Sequence, residues 1–523
     1  MEVQVLSSAP LFFVSRSLLV AFLVAAGPGP VSLPMTLFTG ETVRKFLPAT
    51  MPGGVAVFDA DNDGLLDLYF PNGAPLPSGR KTSAAHGNRF FRNRGAMRFE
   101  DLTTASGLAG TGYDFAAAAG DFDRDGHVDL LVSGLRGVTL YRNRGQGVFE
   151  DVTAHSKLDN HGRWSVGAAW LDIDNDGDLD LFVVNYVRWD PATEKACLVE
   201  GQPDFCHPRA YQPQPNALFR NEGNGTFTDI SAASGIGQHP GKGMAAAVAD
   251  FDLDGRLDIF VTNDRVFNFL FRNLGDGRFE EVAFARGVAA PANGNPPSAM
   301  GADAQDFDND GRPDLIYTAL RDETFPLYRN AGAEFVEATV SSRLSTLTRA
   351  MAGWGIVFAD LDNDGWKDIV AARGDVLSAK GAKGALAREP LSWLRNVDGR
   401  QFVAGDAISV PSRLYRGIAA ADLDNDGCLD LVATALQAAP QVIKRACPLA
   451  SHWLEVSVSA GARVQVGPQW RHATYTSGYA SSCNCPLHFG VSAGMVNVKV
   501  TWPDGKQKTM SGVPVDRRIA VEP

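Results

Sequence analysis

Seven stretches of this chain have the residue types and spacing to hold a hard cation. Each reads Asp-x-Asp-x-Asp-Gly-x-x-Asp. The carboxylates stand at Asp59, Asp61, Asp63 and Asp67; at Asp121, Asp123, Asp125 and Asp129; and at Asp172, Asp174, Asp176 and Asp180. They continue at Asp250, Asp252, Asp254 and Asp258; at Asp306, Asp308, Asp310 and Asp314; at Asp360, Asp362, Asp364 and Asp368; and at Asp422, Asp424, Asp426 and Asp430. Four carboxylates within nine residues repel one another, and a divalent cation at their centre relieves that repulsion. Places one, three and five can turn inward, the glycine at place six allows a sharp turn, and place nine adds a carboxylate. This follows the first half of EF-hand logic, but the Glu at place twelve is absent and a strand-like run follows instead of a helix. Oxygen ligands alone favour Ca²⁺ over zinc or copper, and Mg²⁺ is disfavoured because it keeps its waters in a strict octahedron. The competing reading is a set of Asx-turns with solvated charges; seven intact copies weigh against it. Filling all seven loops would carry the formal charge from −12 to about +2.

The loops recur about every 60 residues, a period that signals a repeat architecture. Before each loop lies a run of small apolar residues, as at Gly54–Phe58 and Gly417–Ala421. After each lies a β-rich run such as Leu181–Val184, and the pair predicts a hairpin. A third strand ends in Arg-Asn six times, as at Arg92-Asn93 and Arg395-Asn396, and a fourth opens on Phe, as at Phe99 and Phe149. The Arg-Asn pairs are expected to cap turns and bridge neighbouring repeats. Four strands per repeat and seven repeats predict an all-β, seven-bladed β-propeller over residues 33–450. The seventh repeat lacks its fourth strand. The stretch Leu37–Val43, with its Phe-Thr-x-Glu pattern, is expected to supply it and close the ring.

The repeats resemble the FG-GAP/VCBS family, whose calcium-loop blades also build integrin α-subunit propellers. Lys45–Gly54 and the insertion at Cys206–Tyr211 resemble the bacterial branch that carries an ASPIC/UnbV domain. Residues 451–523 are similar to that domain in Gly461-Ala-Arg-Val464, Leu487-His-Phe-Gly490 and the run from Val498 to Gly505. The segment before Gly461 is shorter than the family usually has. Alternating Val496, Val498, Val500 and Trp502 predict a small β-sandwich-like domain. The resemblance implies a relative of the cartilage acidic protein type, and it brings no settled molecular activity.

The 523 residues contain 60 Asp and Glu against 48 Lys and Arg, an acidic balance that argues against a nucleic-acid partner. Residues 1–26 read as a signal peptide with an uninterrupted apolar run, Leu18–Ala26, too short to span a bilayer. A secreted or periplasmic protein without a membrane span after processing is expected. The six cysteines then permit disulfides, with Cys197–Cys206 the expected pair and the other four unassigned. Cys483, Cys485 and His488 could hold a soft metal, but two separate disulfides explain the cysteines as well. Arg373-Gly374-Asp375 spells an integrin-recognition tripeptide that also recurs by chance. Trp164, Trp170, Trp354 and Trp366 are expected in the propeller core or at its mouth. Common catalytic motifs and phosphate loops are absent from the sequence. The expectation is a secreted Ca²⁺-binding propeller, non-enzymatic, with an unknown protein or glycan ligand. An extracytoplasmic hydrolase or lyase working at the propeller mouth, or a structural part of a larger assembly, are the alternatives.

Overall fold

The computed structural model describes residues 23–24, 29–199, 201–376, 387–448 and 451–523. The expected signal segment lies outside them except for Leu23 and Val24, which pair with Glu100 and Phe99 at an outer sheet edge. Strand structure dominates. Each acidic loop joins an inner strand to a second strand that begins at the place-nine aspartate. The inner strands are Ala56–Phe58, Asp114–Gly120, Ser165–Leu171, Gly243–Ala249, Ala302–Gln305, Gly353–Ala359 and Tyr415–Ala421. They are rich in Ala and Gly because they crowd together. Each packs on the inner strand of the next repeat, and Tyr415–Ala421 returns to Ala56–Phe58, so the sheets form a propeller-like ring. Larger side chains fill the seams. Between the first two sheets Phe58, Tyr69, Phe90, Tyr141 and Phe149 form one buried cluster.

The ring closes through the N-terminal segment, but not where the sequence pattern put it. Val31–Ser32 is the fourth strand of the last sheet, with Val31 opposite Val442 and Ser32 opposite Gln441. The contact runs on through Leu33 N to Pro440 O (3.2 Å) and Leu37 N to Ala438 O (3.0 Å). Val31, Leu33, Met35 and Leu37 are buried and the residues between them exposed, a clean alternation. Residues 38–43 form no strand, and Val43 is 87% exposed. Buried alternation therefore outweighs the local Phe-Thr-x-Glu likeness. Starting the chain at residue 39 would remove those four buried side chains, a loss of about 6–12 kcal/mol at roughly 1.5–3 kcal/mol each. The thermal melt should drop steeply, whereas Val43→Ser should leave it unchanged; a truncated chain melting like the full one would refute this closure.

The C-terminal residues form two further sheets. One holds Leu487–Val491, His452–Ser457 and Arg517–Ala520; the other holds Gln469–His472, Arg463–Val466, Met495–Thr501 and Gln507–Pro514. Leu454, Val464, Phe489, Val498, Val500 and Trp502 are buried among the residues of one apolar cluster. This sandwich packs on the acidic-loop end of the ring, where Trp453 stands against Gly427 and Trp470 against Gly311.

One part of it does not stay outside. Ser481–Cys483 enters the ring and pairs in parallel with Ala56–Val57. Tyr479 is fully buried, donates its hydroxyl to Met51 O (2.9 Å) and meets Trp354 edge-on at 5.1 Å. Ala117 N donates to Ala480 O, and Ala302 bridges Gly478 on the opposite wall. The centre of the ring is thus filled by residues 478–483. Several wall glycines are required by this close approach: a Cβ on Gly54 would lie 2.1 Å from Ala480 O, and one on Gly301 2.9 Å from Tyr479 N.

Candidate metal centres and the channel mouth

Within each loop the four aspartates do different work. In the first, Asp59 accepts Asp63 N (3.1 Å) and Gly64 N (2.8 Å), which folds the turn. Asp63 accepts Leu65 N at 3.0 Å. Asp67 is fully buried and ties the loop into its sheet, accepting Ala60 N (3.1 Å) and Asn93 N (2.7 Å). The last repeat keeps the same bonds through Asp422, Asp426 and Asp430, with Arg445 N in place of the asparagine. Place four takes left-handed backbone in all seven loops, from φ 56° at Arg124 to 61° at Leu253. Asn tolerates that conformation better than most residues and occupies place four in five loops.

Place three is left over. Oδ1 of Asp61, Asp123, Asp252, Asp362 and Asp424 is buried with no hydrogen-bond partner among the described residues. In the third loop the unpartnered oxygen is Asp172 Oδ1, at place one. The other place-three oxygen meets a cation from the third strand: Arg142 Nε reaches Asp123 at 2.6 Å and Arg272 Nε reaches Asp252 at 2.7 Å, while Arg92 and Lys444 contact Asp61 and Asp424. Carboxylate oxygens of Asp59, Asp61 and Asp67 lie within 4.8 Å of one another, as do those of Asp121, Asp123 and Asp129, of Asp172, Asp174 and Asp180, of Asp250, Asp252 and Asp254, and of Asp306, Asp308 and Asp314. Burial pushes Asp129, Asp180, Asp368 and Asp430 up to about 8, with the neighbouring loop carboxylates adding to the shift. These are sites short of positive charge, and an oxygen-seeking divalent ion fits their donor set.

The loops are also wired to one another. Asn62 Nδ2 donates to Gly126 O of the next loop at 2.9 Å, and Asn175, Asn309 and Asn363 reach Gly255, Gly365 and Gly427. Asn425 returns to Gly64 at 3.2 Å, so the linkage runs round the ring except from the fourth loop, where Leu253 occupies place four. Arg124 stands where the second loop lacks Asn, and it reaches Asp178 at 2.8 Å instead. This use of place four was missed in the sequence, although the repeated Asn was visible there. The Arg-Asn asparagines do bridge repeats: Asn93 Nδ2 donates to Leu423 O (2.7 Å), Asn143 to Ala60 O and Asn221 to Phe122 O.

The remaining candidates resolve structurally. Cys197–Cys206, Cys428–Cys447 and Cys483–Cys485 are disulfides, so the last two sulfurs bind each other and leave no thiolate pair for a soft metal. His488 Nε2 lies 2.8 Å from Asn363 Oδ1. Asp375 is buried and Arg373 bridges Glu389 at 3.1 Å, so the Arg-Gly-Asp tripeptide is not displayed. Trp164, Trp170 and Trp354 are core residues, and Trp366 is half-buried. At the end of the ring remote from the loops, a cavity of about 300 Å³ opens over Met51 and Trp354. Among the described residues, no helix is long and apolar enough to cross a membrane.

Comparison with known proteins places this geometry. Residues 82–132, 121–183, 201–261, 250–317 and 306–371 match the FG-GAP-like repeat, and residues 455–523 match ASPIC and UnbV. Human cartilage acidic protein 1 is 24% identical over 482 residues, covering 76% of this chain and 70% of that protein. The mouse protein of that name is 26% identical over 313 residues, covering 57% of this chain. The chain spans 39% of the length of the mouse relative and 45% of the one from Xenopus tropicalis. Among solved structures, an Agrocybe aegerita lectin recognising non-reducing terminal N-acetylglucosamine aligns with TM-score 0.39 at 17% identity, over 66% of this chain and 80% of its own. BBS1N in complex with ARL6DN aligns with TM-score 0.44 at 9% identity, over 76% and 94%.

Proposed function

Because the chain belongs to the FG-GAP-like repeat family and ends in an ASPIC and UnbV domain, we propose that it is a calcium-stabilised, seven-bladed binding module. Each blade takes one Ca²⁺ in its acidic loop, and the module is non-enzymatic. The observation that carries this reading is the buried, unpartnered place-three oxygen that recurs in five loops. A carboxylate oxygen withdrawn from water without a partner is costly, and a repeat would not keep that cost five times without a ligand to relieve it. The cation would sit among places one, three, five and nine. Bound there, it would supply charge neutralisation and crosslink the turn to the start of the second strand.

Export to the periplasm or the medium fits the apolar run Leu18–Ala26 and three disulfides. The partner would be a protein or a glycan, and the acidic surface disfavours nucleic acid. The test is ion stoichiometry by equilibrium dialysis with metal analysis. Several Ca²⁺ should bind per chain, and Asp123→Asn should remove one of them while the far-ultraviolet spectrum stays that of a β-protein. A chain that binds no Ca²⁺ at millimolar concentration would end this proposal.

A further inference from the structure

The cavity at the channel mouth carries its own chemistry. Tyr186, Asp264, Leu320, Arg321 and Asp375 line it, and they lie just beyond the second strands of successive sheets. That is the end of each hairpin opposite its acidic loop. The walls are apolar and soft, with Met51, Met244, Met300 and Trp354. The floor is rigid, because Tyr479 beneath it is bonded to Met51 and packed on Trp354.

The carboxylates beside the cavity are unequally paired. Arg265 is paired with Glu323 at 2.6 Å, and Arg321 with Glu389 at 2.5 Å and Asp375 at 3.5 Å. Lys242, nearby, donates to Pro208 O at 2.7 Å. Burial and the cations Arg265, Arg209 and Lys242 push His207 down, so it adds no positive charge at neutral pH. Asp264 remains. It is 3% exposed, and no cation lies within 4.0 Å of its carboxylate among the described residues. Oδ2 accepts the Tyr186 hydroxyl at 2.7 Å, and Oδ1 has no hydrogen-bond partner among the described residues. Burial pushes Asp264 up to about 6, against the Tyr186 hydroxyl and the more distant charges of Arg265 and Lys242, which leaves it mostly ionised at neutral pH. A buried anionic oxygen beside an apolar cavity wants a donor that carries positive charge.

We propose that this cavity binds a small organic ammonium with an apolar body, its N–H paired with Asp264 and its carbon frame against the methionines and Trp354. Thioether side chains adapt to irregular apolar shapes, while the indole of Trp354 already carries the Arg416 guanidinium 3.8 Å from its ring centroid and contributes apolar surface only. An anion is excluded by Asp264, since both wall guanidinia already hold carboxylates. A cavity of about 300 Å³ lies at the small end for ligand sites, which limits the ligand to one ring or a short chain. The inference rests on the reading of the chain as a binding module, and it is independent of whether the acidic loops are filled.

Isothermal titration of the full chain, in millimolar Ca²⁺ at pH 7.5, tests it with three probes of one size: phenethylamine, 2-phenylethanol and phenylacetate. Phenethylamine should bind at least tenfold more tightly than either of the others. Asp264→Asn should weaken it at least tenfold, and Leu320→Trp, which fills the cavity without touching the carboxylate, should abolish it. Should Asp264→Asn fail to fold, the amine-to-alcohol ratio and the Leu320→Trp result decide. Equal binding of phenylacetate, or unchanged affinity in Asp264→Asn, would overturn the proposal. So would absence of phenethylamine binding in a chain that still binds Ca²⁺, a result that leaves the acidic-loop reading standing. Amine binding by a chain that takes up no Ca²⁺ would do the reverse.

Discussion

In millimolar Ca²⁺ the protein should melt far above its melting point in EDTA, and Mg²⁺ at the same concentration should give little of the difference. Loops of this type lack the bidentate Glu that tightens an EF-hand, so an extracellular-range affinity of about 10⁻⁴ to 10⁻³ M is expected. At about 10 mM Ca²⁺ each filled loop then adds roughly 1.4–2.7 kcal/mol by mass action. Seven loops acting together add about 10–19 kcal/mol. For a chain of this size a stability change of 1 kcal/mol moves the midpoint by roughly 1–2 °C, so the shift should be on the order of 10–40 °C. Scanning calorimetry in EDTA, Ca²⁺ and Mg²⁺ measures it directly. Identical melts in EDTA and Ca²⁺ would mean that Asp59, Asp121 and their counterparts are turn formers alone. The third-strand cations such as Arg142 and Arg272 would then be their full complement of positive charge.

The second large effect concerns the residues inside the ring. Tyr479→Ala should cost about 3–5 kcal/mol for the lost aromatic contacts and the cavity left behind, and about 1 kcal/mol more for the hydrogen bond to Met51 O. Tyr479→Phe should cost only that last part. Removing residues 451–523 altogether takes away the sheet partner of Ala56–Val57 and uncovers the Ala- and Gly-rich inner wall. The remaining ring should not purify as a stable monomer. Size-exclusion chromatography and thermal melts of the three variants check this series. A shortened chain that stays monomeric and melts like the full protein would show that the inserted segment merely occupies the channel.

The sequence was most readable where structure is local and repeated. The nine-residue loops, the second strands beginning at Asp67 or Asp180, and the Arg-Asn ends of the third strands are short-range features that the chain repeats. The closing strand is not of this kind. Leu37–Val43 shares residue types with the fourth strands, but the alternation Val31, Leu33, Met35, Leu37 is what buries. Equal-looking aspartates also turned out unequal. Place nine is consumed by two backbone amides and place three is spared, a distinction that depends on Asn93 N arriving from another strand. The entry of Gly478–Cys483 into the ring was out of reach. Its partners Val55, Ala117 and Ala302 lie far away in sequence, and nothing in Ser477-Gly-Tyr479 marks it as anything but a loop of its own domain. Asp264 was invisible for the same reason, since a lone aspartate gains meaning only from the cavity beside it.

The inserted segment sets the order of assembly. Val31 must wait for Val442, and Ala56 must wait for Ser482. A chain emerging from the ribosome can form its hairpins one by one, but their inner edges stay bare until nearly the whole sequence has been made. Contacts of such long sequence separation slow folding, and during the delay the open edge strands invite self-association. Products stopped short of residue 483 therefore form an interrupted wheel without its axle, and quality-control proteases and chaperones should meet them far more often than the finished protein.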